Sequence, residues 1–167
     1  MDGKKEIKSV KDNAAIQIVV ILADEIWREH YSPIIGKKQV EYMLDNFQSL
    51  NAIKTQIVDG AQYYLIYYKD EPSGYFSFYL REDSLFLSKI YVKSSLRGKG
   101  LGAMAIRFIE DEAILKELPC ISLTVNKNNR SSIDAYLRMG FKKIKPVVMD
   151  IGGGFVMDDY YLEKRLE

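Results

Sequence analysis

The sequence predicts an α/β (α+β) fold, with one mixed, mostly antiparallel sheet preceded by helices. Three observations lead there. Up to Gly60 the apolar residues recur at helical spacing. From Gln62 to Val92 the pattern changes to short aromatic and aliphatic runs divided by turn signals. Beyond Val92 come a glycine-rich turn, a helix, a strand, a helix and two more strands. Helices, a meander and then alternating units describe a mixed α/β sheet rather than a bundle or a sandwich.

Each element has its own reason. Glu6 to Val10 reads as a short first strand. Asp12 or Asn13 caps the first helix, where Ala15, Ile18, Leu22 and Ile26 form one apolar stripe. That helix is expected to end near His30, because Ser32 precedes Pro33 and the residue before a proline avoids helical backbone. Gly36 opens a second helix with Val40, Met43, Leu44 and Phe47 inward. Ser49 caps a short third helix, which carries Ile53 and Ile57 and stops at Gly60. The meander follows as Gln62 to Tyr68, Gly74 to Leu80 and Leu85 to Val92. Asp70-Glu71-Pro72-Ser73-Gly74 and Arg81-Glu82-Asp83-Ser84 are its turns. Next come a helix from Ala103 to Leu118, a strand from Cys120 to Val125, a helix from about Asn129 to Met139 and a strand from Phe141 to Met149. Gly152-Gly153-Gly154 reads as a hairpin turn, since a strand and not a helix follows it, from Phe155 to Lys164.

Bulk properties narrow the class. At 167 residues, one domain over 1–167 is the simplest organisation and can bury a sizeable core. A hydrophobic content of 47% with 28% charged residues is that of a soluble globular protein. Lys and Arg number 24 against 23 Asp and Glu, so there is no basic footprint and nucleic acid is not an expected partner. A single cysteine, Cys120, excludes an internal disulfide, and its place at the start of a buried strand makes it an apolar filler. The apolar run Ala14 to Ala23 is too short for a bilayer, which needs about 20 residues, and nothing resembles a signal peptide. A cytoplasmic protein without a membrane partner and without a metal is expected.

The chemistry concentrates at Val92-Lys93-Ser94-Ser95-Leu96-Arg97-Gly98-Lys99-Gly100-Leu101-Gly102-Ala103. Strand, glycine-rich turn and helix start make a phosphate cradle. Glycines let backbone approach an anion, and free N–H groups of the first helical turn point at it. The loop lacks G-x-x-x-x-G-K-[ST], so it is no mononucleotide P-loop. Gly98, Gly100 and Ala103 fit the loose dinucleotide pattern, but the next strand ends in Asn126 and supplies no acid for a ribose. Arg97, Gly100 and Gly102 fit R-x-x-G-x-G. Downstream, Asn129, Ser132, Tyr136, Gly140 and Phe141 fit N-x-x-[AS]-x-x-x-Y-x-x-x-G-F.

In this order and spacing the two motifs resemble the GCN5-related N-acetyltransferases (GNAT), over at least Leu65 to Phe141. The resemblance implies a sheet whose central strand pair splays apart, with acetyl-CoA entering the wedge. It assigns acetyl-CoA contacts to Ile90, Tyr91, Val92, Arg97, Gly98, Lys99, Gly100, Leu101, Gly102, Ala103, Asn129 and Tyr136, with the backbone of the first three doing the binding. It makes Tyr136 the catalytic proton donor to the leaving sulfur. Two further stretches, Trp27 to Ile35 and Gly154 to Lys164, are similar to bacterial polyamine acetyltransferases of the PaiA type. They suggest a small amine or polyamine acceptor, with Glu29, His30 and Tyr31 as substrate contacts and Asp24, Glu25, Glu29, Asp158 and Asp159 as an acidic mouth. A peptide α-amine acceptor and a non-catalytic acyl-CoA sensor are the alternatives. Edge strands near the C-terminus leave room for a homodimer.

Acetyl transfer to an amine also needs a base, because a free primary amine has a pKa near 10.4. Many such enzymes carry a glutamate on the strand beside the cofactor. Here that strand reads Leu87-Ser88-Lys89-Ile90-Tyr91 and has no acid. A water relay through Ser88 or Tyr91 is expected first, with Glu29 and His30 next.

Overall fold

The computed structural model describes residues 3–166. Seven strands form one sheet in the order β1-β2-β3-β4-β5-β7-β6. The strands are β1 (Lys5–Ser9), β2 (Gln62–Tyr68), β3 (Glu71–Leu80), β4 (Leu85–Val92), β5 (Cys120–Asn126), β6 (Lys142–Gly152) and β7 (Phe155–Arg165). The helices are α1 (Asn13–Ile35), α2 (Lys37–Phe47), α3 (Leu50–Val58), α4 (Leu101–Leu115) and α5 (Arg130–Arg138). All strand pairs are antiparallel except β4 with β5.

Two apolar layers sandwich the sheet. On one face Phe76, Phe78, Leu85, Leu87, Leu123 and Leu162 pack against Leu101, Ile106 and Ile109 of α4. On the other, Tyr63, Leu65 and Tyr75 pack against Val19, Ile26 and Trp27 of α1, Met43 of α2 and Ile53 of α3. The two-residue period of the strands divides the meander between these layers.

Three boundaries differ from the sequence expectation. Helix α1 does not stop near His30 but runs on to Ile35 with Pro33 inside it. Pro33 removes one N–H, and the carbonyl thus freed belongs to Glu29, which is solvent-exposed and so can bond to water. The first meander turn is only Lys69-Asp70, both at positive φ (52° and 64°), a two-residue hairpin of the favoured twist. Glu71 to Gly74 therefore belong to β3, where Pro72 sits at a register shift that spares it a ladder bond. Helix α4 begins at Leu101, ahead of the expected Ala103, and ends at Leu115. The capping expectations hold: Asp12 accepts from Ala15 N at 2.8 Å and Ser49 from Ala52 N at 3.2 Å.

The feature that positions the site is the junction of β4 and β5. They share only the pairs Leu85↔Ile121 and Phe86↔Ser122 and then separate. A register shift between Ser77 and Phe78 leaves Ser88 as the extra residue of a bulge on β4, next to where the strands part.

Candidate active site

A cavity of about 850 Å³ occupies the wedge between β4 and β5 and continues under α1 and α2. Of the residues expected to contact acetyl-CoA, all but Lys99 line it. Lys99 faces a separate shallow depression beside Tyr68 and Ser95.

The loop that closes the wedge is built by glycine. Gly98 and Gly100 have φ of 79° and 82°, and Gly100 precedes the first residue of α4. Gly102 is different, since its φ is not positive and nothing lies within 4 Å of where its Cβ would be. Backbone conformation does not require glycine at 102. Absence of a side chain there leaves the first turn of α4 open to a ligand. With Arg97 beside it in the cavity lining, the residues present fit a pyrophosphate group such as that of acetyl-CoA.

Tyr136 projects from α5 into the cavity and packs edge-on against Phe141 at 5.5 Å. Burial, with a smaller contribution from Tyr31, raises its phenol well above 10, so it stays protonated. Asn129 precedes α5 and is 3% exposed. It makes no side-chain cap bond; its Oδ1 instead lies 3.2 Å from His30 Nε2. That pairing places the proton on Nε2 in the neutral imidazole. Burial first, then Arg97, holds His30 below its ordinary 6.5. Tyr31 meets Tyr91 hydroxyl to hydroxyl at 3.0 Å, within an edge-to-face cluster that includes Trp27. Burial pushes Tyr31 up to about 12.

The acids do not gather as a mouth. Asp24 pairs with Arg28 at 2.9 Å, Glu25 with Lys93 at 3.8 Å and Asp158 with Lys127 at 2.9 Å. Glu29 is exposed and lies outside the cavity lining, whereas His30 and Tyr31 line it.

Asp159 stands apart from these. It lines the cavity, is 4% exposed, and its Oδ1 has no hydrogen-bond partner. Burial and then the charge of Asp158 raise its carboxyl to about 6, against the opposing effects of Thr124 and Lys127. Sequence reasoning grouped Asp159 with four other acids at the acceptor mouth and did not single it out. The missed signal was alternation, because Asp159 shares the period-two set of Phe155 and Met157, while Val156 and Asp158 face out. Lys89 was missed too, as a lysine inside the cavity wall. Among the described residues, no group of three His, Cys, Asp or Glu side chains is placed to hold a metal ion, and no helix is long and apolar enough to cross a membrane.

Comparison with known proteins agrees with this geometry. Residues 22–141 match the model of the acetyltransferase (GNAT) family. No curated protein matches the sequence. Among solved structures, the PaiA N-acetyltransferase from Thermoplasma acidophilum in complex with coenzyme A is similar with a TM-score of 0.82 and 19% identity, over 98% of this chain and 99% of that one. An acetyltransferase from Thermus thermophilus gives 0.75 and 18% identity over 99% and 100%. The ribosomal-protein-S18-alanine N-acetyltransferase from Escherichia coli gives 0.72 and 12% over 98% and 95%. At these identities the likeness is one of fold.

Proposed function

Because the chain belongs to the acetyltransferase (GNAT) family and is an acetyl-CoA-dependent N-acetyltransferase, we propose that its acceptor is a small primary amine, acetylated by direct transfer with both substrates bound. The observation that carries this reading is the wedge. Beyond Phe86 and Ser122 the two strands part, and the cavity between them is lined by Arg97, Gly98, Gly100 and Gly102 of the loop together with Tyr136 and Asp159. The one cysteine, Cys120, lies outside the cavity lining and bonds to Asp83 O, so no thiol relay serves the site.

Acetyl-CoA supplies the acetyl group as a thioester. Arg97 and the N–H groups at the start of α4 hold its pyrophosphate. The backbone of Ile90, Tyr91 and Val92, next to the β4 bulge, aligns the arm and offers N–H donors to the carbonyl oxygen as negative charge grows on it. The amine attacks in its neutral form, the ammonium having released one proton to solvent, and Asp159 accepts the proton that the nitrogen sheds once it is bonded to the carbonyl carbon. With a carboxyl near 6 it is mostly ionised at neutral pH, yet a stronger base than an ordinary aspartate. Tyr136 donates a hydrogen bond to the departing sulfur. Its raised pKa makes full transfer to a thiolate, whose own value is near 8.5, uphill. The phenol therefore stabilises the charge by hydrogen bonding and keeps its proton. Neutral His30 fixes Asn129, which borders the same wedge.

The similarity to PaiA-type enzymes points to polyamines, but the surface ion pairs of Asp24, Glu25 and Asp158 leave Asp159 as the acid inside the cavity, which suits an acceptor with a single ammonium group rather than a polycation. We take residues 1–167 as one catalytic domain acting in the cytoplasm, with β6 as the edge available to a second copy. Thiol release from acetyl-CoA, with butylamine, spermidine and a short peptide as parallel acceptors, tests the reading. Turnover of an amine supports it. Turnover of the peptide alone would replace the acceptor class. Acetyl-CoA binding without any turnover would make the protein a sensor.

A further inference from the structure

The acceptor half of the cavity holds a cation without a counter-charge. On β4 the side chains alternate across the sheet, and Lys89 and Tyr91 share the α1–α3 face. Lys89 lines the cavity and is half-buried. Its one hydrogen bond runs to Ser88 Oγ at 3.0 Å, and its ammonium sits 5.8 Å from the centre of the Tyr63 ring. Lys4, Lys93, Lys127 and Lys164 all pair with acids, but among the described residues no carboxylate pairs with Lys89.

Lys89 spends one ammonium hydrogen on Ser88 Oγ, and it lines the cavity with no carboxylate to pair with. Methionine would fill the same space without carrying a charge. A cation so placed suits a ligand that brings oxygen atoms of its own. We propose that Lys89 receives an anionic oxygen group of the acceptor, so that the acceptor is an amine that also carries a carboxylate or a phosphate. This rests on the N-acetyltransferase reading above and names its substrate class. Lys89 and Tyr91 lie two residues apart on one strand face, roughly 7 Å. Tyr91 meets Tyr31 on the side of the cavity that holds Asp159. A short ω-amino acid carries both groups. A diamine of the same length would set its second ammonium against Lys89, where like charges repel.

Three acceptors of matched length isolate the charge: 4-aminobutanoate, butylamine and 1,4-diaminobutane. A fourth, 2-aminoethyl phosphate, distinguishes phosphate from carboxylate. Thiol release is measured with the unaltered protein, Lys89→Met and Lys89→Arg. An anionic acceptor is expected to exceed butylamine in kcat/KM, and butylamine to exceed the diamine. Lys89→Met should lower the ratio of 4-aminobutanoate to butylamine about 10- to 100-fold, mainly through KM, and Lys89→Arg should restore most of it. A preference for 1,4-diaminobutane, or a ratio that Lys89→Met leaves unchanged, overturns the proposal. Equilibrium binding of 4-aminobutanoate to the CoA-saturated protein separates the two readings. Binding that Lys89→Met abolishes, with no thiol release from any acceptor, upholds the anion site and rejects acetyl transfer. Turnover of butylamine with no binding of either anionic acceptor does the reverse.

Discussion

At Asp159 the demands of folding and of catalysis oppose each other. Folding raises its carboxyl from the ordinary aspartate range to about 6. A carboxyl that binds its proton more tightly when folded stabilises the protein below the unfolded value, and that contribution is lost as pH rises through about 6. At neutral pH the ionised, buried carboxylate therefore weakens the fold. Asp159→Asn should raise stability at pH 7 by about 2 kcal/mol, with the gain shrinking as pH falls toward 4; urea denaturation at the two pH values measures it. The same change should lower kcat/KM by roughly 10²- to 10⁴-fold and remove an acidic limb with a midpoint near pH 6. His30 also titrates below its ordinary value, so His30→Gln is the control, and it is expected to keep that limb. Tyr136→Phe removes one hydrogen-bond donor to the sulfur. It should reduce single-turnover rates by about 10- to 100-fold while the Kd for acetyl-CoA stays the same. Tyr136 was legible from its motif. Asp159 was legible only as one of five acids, and Lys89 was not singled out, because burial and missing partners belong to the packed molecule.

Among the elements, the start of α4 separates two uses of glycine. Gly100 sits at φ 82°, where a Cβ is strained, so Gly100→Ala should lose about 1–2 kcal/mol of stability. Gly102 has helical backbone and open space around it. Gly102→Ala should raise stability by up to about 1 kcal/mol and still weaken acetyl-CoA binding, because a methyl group enters the cradle. Thermal melts and titration calorimetry of both variants check the contrast; equal acetyl-CoA affinity in Gly102→Ala would remove residue 102 from the cradle. Element identity was readable throughout, and the errors lay at boundaries. Pro33 was read as a stop, yet α1 runs through it with the freed carbonyl belonging to exposed Glu29. The Pro72 region was read as a turn, yet two residues at positive φ suffice to reverse the chain.

Across the whole molecule, the parting of β4 and β5 leaves strand backbone without a neighbour across the wedge. Such groups exchange with water unless a ligand covers them. Amides of 87–92 and 123–126 on the wedge side should gain hydrogen-exchange protection when acetyl-CoA binds, while the amides that pair β2 with β3 should change little. Acetyl-CoA at 100 times its Kd should add about 2.7 kcal/mol to apparent stability. A melt insensitive to acetyl-CoA would contradict the wedge as its site.

Taken by itself, the sequence determined the local rules. Hydrophobic period set helix against strand, caps at Asp12 and Ser49 set helix starts, and two motifs with their spacing set the family. These are contacts between near neighbours or fixed chemical patterns, and a linear chain displays both. Tertiary structure alone decided which charges meet water. Asp24, Glu25 and Asp158 found surface cations, while Asp159 and Lys89 were carried into the cavity by the alternation of β7 and β4. The same acid can be a solvated surface group or a base near pH 6, and only the dielectric and the partners around it distinguish the two.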